Sequence, residues 1–310
     1  MTLPIMEHGI SREDDMDDFS SLGIKTIATE SSVLVSSSRF LNNAQLREAL
    51  PTALLRRNGH DRRVGWDSTG VVRGFREARD VDHVNALIKE ERKINPRFDA
   101  WLSERFMSTY KRDDFKSCAK GTLGAAFYDY LIGLNLELDL DPKLRKDPNW
   151  RPESDLEFIE LRASQTHDFD HLLGGCGIDA LDEVTPFWMR IESYFAHLSP
   201  ELAANLAQVH VLLIQPMLTR TILHYPLAWT TVIDLMQRGI EIGRKADAIF
   251  MTRYEEYFDK PMDEVRKALN FPPIGEKPST ELSAYFREML PASALSPEAR
   301  HTARYGMAAE

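Results

Sequence analysis

From about residue 80 onward the apolar residues of this chain recur every three or four positions, and runs that alternate apolar with polar are almost absent. That period belongs to helices whose one side faces a core, whereas a half-buried strand would alternate. Val81, Val84, Leu87 and Ile88 form one stripe, and Phe98, Trp101, Leu102, Phe106 and Tyr110 form another. Trp229, Val232, Ile233, Met236, Ile240, Gly243, Asp247 and Phe250 keep the spacing over about six turns. Ser199-Pro200-Glu201 reads as a helix start, with Ser as cap, Pro at the first helical position and Glu in the first turn. The pattern predicts an all-α, multi-helix globular fold.

Where the period fades, the chain is expected to loosen. Residues 1–74 read as an N-terminal extension, partly disordered, with one short helix over Asn42–Leu55 that Pro51 interrupts. Residues 75–271 read as the helical, metal-binding domain, with Met262–Leu269 as its last helix. Four more prolines follow Pro272, so 272–310 reads as a tail. The segment 139–153, rich in Asp and Pro, reads as a loop. Gly121 and Gly124 lack the third glycine and the preceding strand of a dinucleotide-binding turn, so they read as small residues for close helix packing. The stripes within 121–134, 187–198 and 229–250 carry enough large side chains to suggest an apolar cavity between them.

Charge narrows the function. A formal net charge of −10 argues against nucleic-acid binding, which needs a basic footprint. It also argues against a broad electrostatic grip on anionic lipids. Arg56, Arg57, Arg62 and Arg63 are a local exception, read as a solvated loop with a peripheral membrane contact as the other option. Two cysteines, Cys118 and Cys176, exclude a disulfide scaffold and suit the cytoplasm. The opening MTLPIMEHGISREDDMDD has neither the apolar core of a secretory signal nor the arginines of a transit peptide. The expected location is the cytoplasm, with the inner face of the membrane open to it. Residues 202–219 are long and apolar enough for a span. Asn205, Gln208, His210, Gln215 and Pro216 favour a buried core helix instead.

The segment EFIELRASQTHDFDHLLGGCGIDALDE, residues 157–183, carries the chemistry. His167 and His171 lie one helical turn apart on one face, close enough to share an ion. Asp168 flanks that edge, about 100° around the helix from His167, so it either touches the ion or orients a bound water. Gly174, Gly175 and Gly177 stop the helix, and Glu183 can return on the next element. That element starts at Asp179 and is kinked by Pro186, or it starts again at Pro186 with Thr185 as cap; both options stand. Two imidazoles and two carboxylates suit a divalent metal, zinc first, with iron or manganese also accommodated. Asp168 and Glu183 are the candidate catalytic residues. Two satisfied core histidines would be the plainer account, and Cys176 is a further potential ligand. A zinc protease would need Glu in place of Asp168. A di-metal bundle would need Asp80 and His83 as a second pair. His210 and His224 read as core residues, and Arg253, Glu255, Glu256, Asp259 and Lys260 as a solvated helix end.

HDxxH followed after eleven residues by Glu resembles the signature of the coenzyme Q biosynthesis protein 4 family, with His167, Asp168, His171 and Glu183 at the four positions. Residues 226–271, with the Arg-x-Gly turn at Arg238-Gly239 and the run Tyr254–Arg266, are similar to that family's C-terminal block. KGTLGAAFYDYL resembles its segment before the motif. The similarity covers roughly 75–271. It implies an all-helical protein with a metal at the motif and a polyprenylated aromatic ligand. It implies a role in ubiquinone synthesis, namely metal-dependent, oxidative or simple, decarboxylation of a polyprenylated 4-hydroxybenzoate-type precursor. The alternative it implies is a non-catalytic, prenyl-lipid-binding scaffold that organises other quinone-biosynthesis enzymes. A homodimer is compatible with either.

Overall fold

The computed structural model describes residues 36, 38–55, 65–133, 147, 149–177 and 180–306. Val33–Val35, the basic stretch Arg56–Arg63, Asp179 and most of 139–153 lie outside the described residues. Helices α1 (Ala44–Leu55), α2 (Gly65–Ala78), α3 (Val81–Ile94), α4 (Pro96–Glu104) and α5 (Leu123–Gly133) lead to α6 (Asp155–Leu173). They are followed by α7 (Val184–His197), α8 (Pro200–His224), α9 (Trp229–Lys245), α10 (Met262–Ala268), α11 (Thr280–Phe286) and α12 (Pro297–Tyr305). The described residues contain no strand, only an isolated bridge between Thr122 and Pro261. The all-α expectation holds.

Helix α6 is the axis. Ser154 caps its start by accepting from the Glu157 amide. Its end is a Schellman turn: the Cys176 amide reaches the His171 carbonyl at 2.8 Å and the Gly175 amide reaches Leu172 at 3.3 Å. Gly175 supplies the left-handed φ of 70° that this turn requires. Leu156, Phe158 and Ile159 at the N-terminal end join the larger core with Trp101, Tyr194 and Phe250. Phe169 and Leu173 at the other end join an aromatic core with Phe115, Phe127 and Tyr254. Between the two cores α6 buries Arg162, Gln165, Thr166, Asp170 and His171. A polar stretch in such a place must be fully paired, and it is. Arg162 bonds Glu255, Ser108 and Gln165, and Arg190 of α7 bonds Asp170 and Thr166. The Glu255 of the expected solvated cluster is therefore the half-buried partner of a buried cation, a role that only the folded position of Arg162 creates.

Several local expectations change. Residues 65–78 form α2, so the N-terminal segment holds more than one helix. Gly70 and Gly74 weaken the intrinsic helical signal, yet a Cβ on Gly74 would meet the Leu46 backbone at 2.7 Å. The glycines are spent on close packing against α1, and that packing outweighs propensity. Pro51 lies inside α1 without ending it. Both helices pack on α8. Arg238-Gly239 is no turn but the interior of α9, which ends at Lys245, before Phe250. Cβ atoms on Gly239 and Gly243 would stand 2.5 Å from the carbonyls of Thr185 and Met189. Helices α7 and α9 therefore touch backbone to backbone, which leaves no room for a cavity between that pair at this crossing. Met262–Ala268 is not the last helix. The expected tail folds back as α11 and α12, burying Leu282, Tyr285, Phe286, Leu295 and Ala299 in the larger core. Helix α8 buries Leu202, Leu206, Ile214 and Met217 but exposes Val211, Ile222 and Leu223. By length and composition it is long and apolar enough to cross a membrane.

Candidate metal centre

Helix geometry places His167 and His171 on one face of α6, with their Nε2 atoms 3.1 Å apart. After the Schellman turn the chain runs back through a 3-10 turn, Ala180–Glu183, that delivers Glu183 to the same point. Its Oε2 lies 3.3 Å from His167 Nε2 and 3.5 Å from His171 Nε2. A tetrahedral ion with bonds of about 2.0–2.1 Å holds neighbouring ligand atoms about 3.3–3.4 Å apart. The three measured separations match one face of such a tetrahedron, so these residues fit a divalent metal. The orientation fits too. His171 Nδ1 lies 2.9 Å from the Gly177 carbonyl, which fixes the proton there and leaves Nε2 with a lone pair for the ion.

The electrostatics favour a cation. Burial pushes the Glu183 carboxyl up, but hydrogen bonds and charge from His167 and His171 outweigh it and hold the group well below the usual carboxylate range. Burial works against charging His167, yet the hydrogen bond and charge of Glu183 raise its pKa. The carboxylate charge that favours a proton on His167 would equally favour a cation at this point. His171 is 1% exposed, whereas the side chains of His167 and Glu183 are 37% and 35% exposed. One side of the trio is therefore open, as in sites that leave a coordination position for a ligand.

Asp168 is not part of the trio. Its Oδ1 accepts from the Tyr130 hydroxyl at 3.5 Å, on the flank of the site. Burial raises the Asp168 pKa against the charges of His167 and His171. Burial, then the negative charge of Asp168 and Glu183, pushes the Tyr130 phenol up. Cys176 is buried with its thiol pushed up to about 12 by burial, its Sγ faces the Gly174 carbonyl, and it is not among the residues whose ligand atoms converge. Asp80 caps α3 through the His83 amide, which fills the role a second metal pair would have claimed. His224 bonds the Leu54 carbonyl and His210 packs on Phe187 and Tyr194, both as core residues would. Helix α7 starts at Val184 directly after Glu183, with Pro186 in its first turn. Thr185 is not a cap, because its hydroxyl donates to Leu235 of α9.

Tyr130 and Arg190 were not legible as site residues. Asp170 carried the one available signal: a carboxylate beside Phe169 on a helix buried at both ends needs a cation. Which cation was not encoded nearby.

The fold and the trio together define an all-helical protein with a two-histidine, one-carboxylate candidate metal centre. Residues 104–275 match the family model of the coenzyme Q (ubiquinone) biosynthesis protein Coq4, more than half of the chain. The chain belongs to that family, one of ubiquinone biosynthesis. It is 22% identical over 196 residues to the mitochondrial ubiquinone biosynthesis protein COQ4 homolog of Nematostella vectensis, spanning 60% of this chain and 79% of that protein. A crystal structure of a ubiquinone biosynthesis protein from Nostoc punctiforme PCC 73102 superposes with a TM-score of 0.51 at 16% identity. It covers 76% of this chain and 99% of that one, and shows the same fold.

Proposed function

We propose that this protein binds one divalent metal ion through His167, His171 and Glu183 and decarboxylates a polyprenylated 4-hydroxybenzoate-type acid in ubiquinone synthesis. The observation that carries the reading is the triangle of Nε2, Nε2 and Oε2 atoms at tetrahedral separations with one side open. A bound divalent ion supplies Lewis acidity toward a carboxylate, with zinc the best match to the ligand set. His171 is held in its binding tautomer by Gly177, and Glu183 remains ionised. Asp168, next to His167 on α6, accepts from the Tyr130 hydroxyl, and the pair can hold the proton that replaces the departing carboxyl on the ring carbon. Asp168 is thus a proton-handling residue and Glu183 a ligand.

A second reading is favoured by Glu183 itself, which ties α6 to the start of α7: the ion staples two elements of a non-catalytic, lipid-binding scaffold for other enzymes of the pathway. One experiment separates the two. Purified protein with its metal content measured is given 3-polyprenyl-4-hydroxybenzoate labelled with carbon-13 at the carboxyl. Labelled carbon dioxide in proportion to metal content is the expected result. Stoichiometric metal with no release, anaerobically or with oxygen and an electron donor, would leave only the scaffold. Protein that takes up no zinc, iron or manganese would end both readings.

A further inference from the structure

Helix α8 has an outer face without charge. Between Leu202 and His224 the one Asp, Glu, Lys or Arg is Arg220, and it is 1% exposed. Solvent-facing helix surfaces ordinarily carry charged side chains. Here Val211, Ile222 and Leu223 face solvent instead, the last two 51% and 60% exposed. Val211 and Ile222 are about three helical turns apart, so they share one line of the helix.

A single exposed leucine is ordinary, whereas a contiguous group marks a contact surface. The group here is extended by α1, which ends beside the end of α8. The His224 ring donates from Nε2 to the Leu54 carbonyl at 2.7 Å and joins the two C-terminal ends. Leu55, the next residue, is 79% exposed at that same end.

The surroundings are poor in negative charge. The chain holds 48 Asp and Glu, yet none falls within 49–60 or 202–233, the stretches that meet here. Glu288 reaches this end of α8, but it is half-buried and its carboxylate accepts from the Tyr225 hydroxyl at 3.1 Å. Directly after Leu55 the sequence runs Arg56-Arg57 and then Arg62-Arg63, four arginines against the one aspartate Asp61, before α2 begins at Gly65.

We propose that the ends of α1 and α8, presenting Leu55, Ile222 and Leu223, dock this protein on a bilayer surface that carries anionic lipid. Exposed apolar side chains enter the acyl boundary, and arginines beside them meet the headgroups. The rest of the molecule, at a net charge of −10, is repelled by the same surface, so this end alone approaches it. A second copy of the chain is the poorer occupant, because a two-fold axis would set the basic run against its own copy. Leu55 and the arginines precede the family-matched residues 104–275, so this part of the face belongs to the chain's own N-terminal segment. Helix α8 links the docked end to the trio. His210, about 18 Å along it from Ile222, packs on Phe187, whose ring lies 6.3 Å from that of His167. The docking face stands whether or not the trio decarboxylates an acid.

Cosedimentation of the full chain with phosphatidylcholine vesicles, with and without about 30% phosphatidylglycerol, tests it. Affinity for the anionic vesicles should be about tenfold or more higher than for the neutral ones and should weaken as salt rises. The double variant Ile222→Gln, Leu223→Gln should lose about tenfold or more, and so should Leu55→Gln on the other helix. Ile94→Gln should bind as wild type: Ile94 is also exposed, but it precedes Asn95, which bonds the His197 carbonyl before the start of α8. Circular dichroism and thermal midpoints unchanged in all three separate a lost docking face from a lost fold. Absence of wild-type binding to either vesicle, or undiminished binding by Leu55→Gln and the double variant, would overturn the proposal. So would a wild-type dimer that these substitutions split without loss of vesicle binding, since the face would then join copies of the chain.

Discussion

His171 Nδ1 lies 2.9 Å from the carbonyl oxygen of Gly177, six residues on and past the end of the helix. The contact couples the glycine reversal to the candidate metal centre. The same turn that sends the chain back toward Glu183 also sets the tautomer of the more buried histidine. Backbone geometry and the orientation of the site are one feature here, because the carbonyl that receives the proton belongs to the reversal that leads to Glu183, the third candidate ligand.

Glu183→Gln is expected to lose the metal and to lower thermal stability only when metal is supplied. An ion that binds the folded state alone stabilises it by about 2.7 kcal/mol at a hundredfold excess over Kd. Thermal unfolding with and without zinc measures this. A variant that keeps the metal-dependent gain would remove Glu183 from the ligand set.

Asp168→Asn and Tyr130→Phe should each retain the metal. If the pair handles a proton, turnover falls about 100-fold or more in each. Metal content beside carbon dioxide release decides. Loss of metal in Asp168→Asn would make Asp168 a ligand rather than a flanking acid.

Gly243→Val should destabilise the protein by about 1–3 kcal/mol or more, since overpacking forces backbone apart. The Gly243 Cβ position already stands 2.5 Å from the Met189 carbonyl. Denaturant unfolding of this variant beside Gly133→Ala, whose Cβ meets nothing within 4 Å, provides the comparison. Equal midpoints for the two would contradict the close α7–α9 crossing.

Glu255→Ala should cost about 3–5 kcal/mol, the penalty for leaving a buried charge unpaired. Arg162 is 1% exposed and bonds both Glu255 oxygens. Glu241→Ala removes the exposed partner of Lys245 and should change stability little. Urea midpoints that rank the two variants the other way would return Glu255 to the solvated helix end.

His210 should make the protein acid-sensitive. Its pKa falls to about 3 in the fold, from 6.5, first because burial penalises the charged ring and then because Arg190 and His167 repel it. Between those values the unfolded chain binds the extra proton. Its contribution to stability is therefore complete above about pH 6.5 and is lost as pH falls toward 3, with a slope approaching about 1.4 kcal/mol per pH unit. His210→Leu should flatten that limb of a stability-against-pH curve measured by urea unfolding. Parallel curves for variant and wild type would show that His210 does not carry the effect.

Local periodicity determined much of this protein. The stripes at 81–88, 98–102 and 229–245 became helices because side-chain spacing alone decides which residues share a face, and that spacing is written in the chain. His167 and His171 met for the same reason, and the glycines after Leu173 announced the reversal. The approach of Glu183 was suggested by its distance along the chain and made definite by the 3-10 turn that ends on it. Tertiary structure decided what periodicity could not carry. Helix α2, with its glycines, and the proline-rich C-terminal segment are helical because α1, α8 and the larger core give them a surface to bury against. Asp168 sits about 100° around α6 from His167, and only the packing of α5 on α6 brings Tyr130, 38 residues away in the chain, to meet it. Arg190 found Asp170 across two helices, a pairing set by burial cost rather than by any local signal. A buried charge accepts whichever counter-charge the packing brings within reach, and only the folded chain defines that distance.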